Sequence, residues 1–137
     1  MNTKIVLGTQ IVVMLMENIQ KNNQYILANK IILLRRYFDL HILSSIPKVH
    51  NNIKIHLQDE LYYLSKNMFY ATYNKGNIRM KYLTELLVNI SLIDMFLVEL
   101  RDIKTIKLKK INNAISILQV IKNIVYGWKV NEEKKRI

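Results

Sequence analysis

Apolar positions recur at intervals of three and four along most of the chain, the spacing that aligns side chains on one face of an α-helix. Four such stripes are present. They are Leu27, Ile31, Leu34, Phe38 and Ile42; Ile53, Leu57, Leu61, Leu64, Met68 and Ala71; Ile78, Tyr82, Leu86, Ile90, Ile93, Leu97 and Leu100; and Ile111, Ala114, Leu118, Ile121, Val125 and Trp128. The first stripe stops near Ser44-Ser45-Ile46-Pro47, because proline disfavours helical geometry in the residue before it. The second stops at Asn74-Lys75-Gly76, where glycine can take the left-handed conformation that closes a helix. The third, a helix from Asn77 to about Ile103, meets the fourth across Asp102-Ile103-Lys104-Thr105, a join so short that the two helices must fold back antiparallel. The pattern predicts an all-α chain built as an antiparallel up-down four-helix bundle over residues 24–130.

Two segments fall outside the bundle. Residues 4–20 begin with Lys4 and an apolar run from Ile5 to Met16, broken by Gly8, Thr9 and Gln10. A membrane-spanning helix needs about 20 apolar residues, and no small-residue cleavage site follows the run, so neither a membrane span nor a signal peptide is expected. Residues 1–23 read instead as an N-terminal helical extension covering an apolar surface of this chain or of a neighbouring subunit. At the other end, residues 131–137 read as a basic C-terminal tail, a frayed helix end able to touch phosphates without sequence preference.

The composition agrees with a single all-α domain. The chain has 137 residues, 3 glycines, 1 proline and no cysteine, which leaves little turn chemistry for hairpins and none for disulfides or thiolate metal sites. Its net charge of +11 and pI near 9.9 point to a polyanionic partner, unless they reflect only a nucleotide bias in the gene. The excess sits at the chain ends, with +4 over residues 1–36 and +6 over residues 106–137, against +1 and 0 for the two segments between. In the third helix Glu85, Asp94, Glu99 and Asp102 balance Arg79, Lys81 and Arg101.

The fourth helix differs. Opposite its apolar arc lie Asn112, Asn113, Ser116, Gln119 and Asn123, polar but uncharged. Lys104, Lys107, Lys109 and Lys110 gather at its start, where the backbone dipole already disfavours cations. Two readings stand side by side: lysines and open N–H groups form a phosphate site, or Glu99 and Asp102 neutralise the lysines in place. The candidate phosphate contacts are these four with Lys122, Lys129, Lys134, Lys135 and Arg136, and from the first half Lys30, Arg35 and Arg36. Lys122 borders the apolar arc and also reads as a snorkelling side chain. Tyr62, Tyr63, Tyr70 and Tyr73 read as boundary residues with buried rings and wet hydroxyls. A base-stacking platform would need a basic groove, and their segment is nearly neutral.

Catalytic constellations are missing. His56, Asp59 and Glu60 share one helical face, but bundle di-metal sites need Glu-x-x-His twice with two further glutamates. His41 and His50 stand alone, and no Gly-rich phosphate loop, nucleophile constellation or zinc spacing occurs. The chain reads as a non-enzyme, with no metal and no cofactor.

Ile46-Pro47-Lys48 before a helix resembles the Phe-Pro-Lys step between the first two helices of the family that includes Avd, the accessory variability determinant of diversity-generating retroelements. The run Asp102 to Trp128 is similar too. Asp102, Ile106, Leu108, Lys109, Ala114, Leu118, Ile121 and Gly127-Trp128 fall where Avd-like sequences have Asp, Leu, Leu, Lys, Ala, Leu, Ile and a closing Gly-Gly-Trp. Ala71-Thr72-Tyr73-Asn74 resembles the end of their second helix. Lys122 and Tyr126 stand where that family has glycines, and Asp94 and Val98 where it has arginines. The resemblance implies a four-helix bundle that associates into a positively charged homopentamer, binds reverse transcriptase and its template RNA or cDNA, and supports mutagenic retrohoming. It implies a cytoplasmic, non-catalytic scaffold without membrane contact. Related bundle proteins encoded in ribosomal RNA intervening sequences share the Phe-Pro-Lys step and remain the alternative, as does a purely structural helical interaction module. Trp128 is assigned to packing, and Gly127 to close helix approach.

Overall fold

A computed structural model describes residues 24–135, and these residues fold into four helices with no strand among them. Helix α1 covers 24–42, its last turn Phe38–Ile42 widening to π-helical hydrogen bonding. A 3-10 turn, Leu43–Ser45, leads to extended Pro47 (φ −62°, ψ 150°) and a second 3-10 turn, Lys48–His50. Proline thus breaks the helix where the sequence expected. Helices α2 (Asn51–Tyr73), α3 (Gly76–Ile103) and α4 (Leu108–Lys134) follow. The segments 1–23 and 136–137 lie outside the described residues, and with them the expected N-terminal extension and the candidate contact Arg136.

Opposed contacts fix the helix directions. Along α2 and α3, Tyr70 stacks on Tyr82, Asn67 bonds Asn89, and His56 stacks on Phe96. The residue number falls on one helix as it rises on the other, so the pair is antiparallel. Arg79 on Glu132 sets the same relation between α3 and α4, and the Tyr37 hydroxyl donates to the Lys110 carbonyl at 2.9 Å, tying α1 to the start of α4. One end of the molecule therefore carries the α2–α3 turn and the C-terminus of α4. The opposite end carries the α1–α2 and α3–α4 turns.

One core runs between the helices, built from the expected stripes of α1, α2 and α4. Each fully buried Leu, Ile or Phe contributes about 1.5–3 kcal/mol. The third stripe departs from expectation at its N-terminal end. Ile78 is 55% exposed and Tyr82 half-buried, while Arg79 and Leu83 turn inward. From Leu86 the buried positions step back by three and then four, whereas the apolar residues alone suggested two steps of four. Apolarity could not identify the true step, because one of the inward positions holds a charge.

The turns also differ from expectation. Tyr73 ends α2, Asn74 and Lys75 are extended, and Gly76 takes φ +61° as the first residue of α3. The glycine is left-handed as expected, but it opens the next helix. Between α3 and α4 that conformation falls on Lys104 (φ 62°), whose N–H donates to the Arg101 carbonyl at 3.2 Å. Helix α4 then runs through 131 to Lys134 with Glu132 buried, so the expected tail is, up to that point, the last turn of the helix. No helix among the described residues is long and apolar enough to cross a membrane.

Candidate nucleic-acid interface

Those of the singled-out cations that fall among the described residues lie on the surface, but the fold does not gather them into one patch. Lys104, Lys107 and Lys109 are exposed and Lys110 half-buried at the α3–α4 turn. Lys129, Lys134 and Lys135 occupy the far end of α4, and Lys110 and Lys134 are about 36 Å apart at ~1.5 Å per residue. Lys30, Arg35 and Arg36 lie along α1, where Arg35 donates to the Ser65 hydroxyl of α2 at 3.3 Å. Lys122 stands midway along α4, exposed, beside a hollow of about 100 Å³ whose rim includes Asp94, Ser91 and Gln119. Candidate phosphate contacts thus form two groups at opposite ends of α4, with Lys122 midway along it and Lys30, Arg35 and Arg36 on α1, whose Tyr37 reaches the start of α4.

At the α3–α4 turn the two readings of the lysine cluster separate. Asp102 lies 3.6 Å from its neighbour Arg101, and among the described residues no ion pair joins Lys104, Lys107, Lys109 or Lys110 to an acid. Lys107 occupies the N-cap without a side-chain hydrogen bond, and the first turn of α4 holds no acid. The first N–H groups of a helix have no intrahelical acceptor, and here no side chain takes that role. Three exposed lysines, the half-buried Lys110 and the positive end of a helix dipole are left without an acidic partner among the described residues.

The other end contains what sequence reasoning missed. Arg79, counted from sequence only in the charge balance of the third helix, is 5% exposed. Its Nε donates to the Ala71 carbonyl at 2.8 Å and Nη2 to the Thr72 carbonyl at 3.2 Å, satisfying acceptors that the end of α2 leaves open. Nη1 donates to Glu132 Oε1 at 2.7 Å, and the guanidinium carbon lies 5.2 Å from the centroid of the Trp128 ring. Asn74 caps the same helix end by donating to the Tyr70 carbonyl at 2.7 Å. Burial pushes the Glu132 carboxyl up, but hydrogen bonds from Arg79 and Lys135 and their positive charges outweigh it and hold the group below its ordinary value. Lys135, read as a phosphate contact, lies 3.1 Å from Glu132. A signal existed: Arg79 continues the Leu83-Leu86-Ile90 stripe and Glu132 the Val125-Trp128 stripe, so opposite charges fall on two adjoining apolar faces.

The side chains of the metal-like spacing are engaged elsewhere, and one further assignment changes. Glu60 accepts from Asn89 Nδ2 at 2.7 Å, while Asn67 donates to Asn89 Oδ1 at 2.8 Å. With His56 stacked on Phe96 at 5.7 Å, two of the three metal-like residues are turned to α3, and among the described residues no group of three such side chains converges. Gly127 is exposed, and a Cβ added to it would meet nothing within 4 Å. Among the described residues it does not serve close helix approach. Trp128 is buried as expected, its Nε1 lacking a partner among the described residues.

Compared with protein-family models, curated proteins and solved structures, the chain matches none.

Proposed function

We propose that this chain is a non-catalytic scaffold that binds nucleic acid and a polymerase, an accessory protein of a diversity-generating retroelement that holds template RNA or cDNA beside reverse transcriptase. The reading combines the resemblance in Ile46-Pro47-Lys48 and Asp102 to Trp128 with one structural observation: the α3–α4 turn presents four lysines and an uncapped helix start with no acid paired to them. Phosphates displace the counterions of such a cluster, and binding gains from their release. In the finer form of the proposal, the helices make an up-down bundle with an added N-terminal helix, and several copies, five by resemblance, associate in the cytoplasm.

Fluorescence anisotropy with a labelled single-stranded RNA, run from low to high KCl, tests the proposal. Affinity should fall linearly on a log–log plot, with a slope near −0.7 for each phosphate contact. Light scattering should report an oligomer. A monomer that ignores oligonucleotides in dilute buffer would overturn the proposal. A gene position beside a reverse transcriptase and a template–variable repeat pair would support it, whereas one inside a ribosomal RNA operon would favour the intervening-sequence proteins. A purely structural module is the reading favoured by Ile26, Leu33 and Leu40, exposed at intervals of seven on α1, and it predicts an oligomer without salt-dependent RNA binding.

A further inference from the structure

The α2–α3 hairpin regroups residues that the linear charge count divided. From Leu61 to Thr84 there is no Asp or Glu, four cations (Lys66, Lys75, Arg79 and Lys81), and six of the chain's twelve aromatic side chains. Arg79 is buried on Glu132, and the other three cations are exposed. The nearly neutral balance of residues 37–75 came from acids outside this stretch, so the half of the hairpin next to its turn is locally cationic, bordered by Asp59 and Glu60 on α2 and by Glu85 on α3.

The rings are placed outward. Tyr62, Phe69 and Tyr73 fall within about 40° of one another around α2 at 3.6 residues per turn, on the side away from Leu57, Leu64 and Ala71, and they are 55%, 54% and 80% exposed. Phe69 and Tyr73 are nearly parallel, 7° between planes and 6.4 Å between centroids. That distance is close to twice the ~3.4 Å layer spacing of a nucleic-acid strand. Beside them Tyr70 stacks on Tyr82 across the α2–α3 seam. Lys66 Nζ lies 5.8 Å from the Tyr70 centroid and Lys81 Nζ 5.5 Å from that of Tyr82, so the amines stand among the rings.

We infer that the outer face of α2 and its seam with α3 form a stacking surface for a single-stranded polynucleotide. Bases lie on Tyr62, Phe69 and Tyr73, and phosphates are drawn to Lys66 and Lys81. The inference rests on the nucleic-acid reading above and moves the principal contact from the helix tips to this face. Single strands fit because stacking requires unpaired base faces, which a duplex conceals. A surface with three exposed lysines and no acid between Leu61 and Thr84 matches a polyanion in charge.

The test compares labelled single-stranded RNA with a duplex of equal length, using the full chain, a Tyr62→Leu/Phe69→Leu/Tyr73→Leu variant, and a Lys66→Gln/Lys81→Gln variant. All five positions are exposed, and circular dichroism and light scattering check that fold and oligomer are kept. The wild type should prefer the single strand. The leucine variant should lose roughly tenfold or more in affinity for it with the salt slope unchanged, and the glutamine variant should lower that slope by about 1.4. Salt-dependent binding that survives the leucine substitutions undiminished would overturn the stacking surface while leaving the proposed function standing. Absence of any oligonucleotide binding by the wild type would overturn both. Loss of the oligomer in the leucine variant with RNA affinity intact would also overturn the inference and mark the face as a protein contact.

Discussion

The two ends of the molecule treat charge in opposite ways. At the α2–α3 end Arg79 is buried, its three donor groups are directed at Ala71, Thr72 and Glu132, and its plane is near Trp128. At the α3–α4 end Lys104, Lys107 and Lys109 face solvent beside a helix start with no side-chain cap. A buried charge must be paired and hydrogen-bonded to be tolerated, so the first end engages its cation in holding three helices together. Solvated lysines contribute little to stability and remain open to a ligand. A net charge of +11 therefore does not describe a uniform surface, because cations of equal formal charge have unequal availability.

The largest effect should come from breaking the first end. Glu132→Ala leaves the Arg79 charge buried and alone and should cost about 3–5 kcal/mol in denaturant unfolding; Arg79→Ala leaves Glu132 with Lys135 still beside it and should cost less. The Arg79→Met/Glu132→Leu double variant should be less destabilised than either single change. Alanine replacement of Lys107 and Lys109 should alter stability by less than ~1 kcal/mol.

Acid should reveal the same asymmetry. The Glu132 carboxyl is held below its ordinary value of 4.5, so its contribution is fully present above that pH and is lost as pH falls through the lowered value. Thermal melts between pH 6 and 3 should show the wild type losing midpoint temperature more steeply than Glu132→Gln. Parallel curves would contradict the assigned role of the carboxyl.

The second end can be sharpened by Lys104→Gly. Lys104 holds a left-handed conformation that glycine adopts without steric cost, so the variant should gain about 1 kcal/mol while losing one candidate phosphate contact. Stability and RNA affinity should then move in opposite directions. Gly127→Ala tests whether the tight end relies on its glycine. With nothing within 4 Å of the added Cβ, helix propensity should stabilise α4 by up to ~1 kcal/mol; destabilisation would restore the packing role. The smallest effect is expected for Trp128→Phe. It removes a buried N–H that has no partner among the described residues, which favours the variant, and weakens the contact with Arg79, which opposes it. The net change should stay within about 1 kcal/mol in urea unfolding.

The apolar stripes of α1, α2 and α4 were legible because burial there follows side-chain apolarity with a single period, and the Pro47 break was legible because its cause is local. Arg79 and Glu132 were not. Each is an ordinary surface residue by type, and only the approach of α3 to α4 gives it a partner that makes burial tolerable. The lysine clusters were legible in the sequence, yet their division between two ends of the molecule follows from helix direction and length combined.

Sequence alone determined that the chain is helical, which residues bury on three of the four helices, and that it carries a large positive excess, since these depend on spacing and composition. Tertiary structure decided which charges are inside, that Gly127 meets nothing among the described residues, and that Tyr62, Phe69 and Tyr73 share an outward face with Lys66 beside the Tyr70–Tyr82 stack. Those properties belong to pairs of elements brought together from distant parts of the chain, and a pattern read along one strand of sequence contains no distance between them.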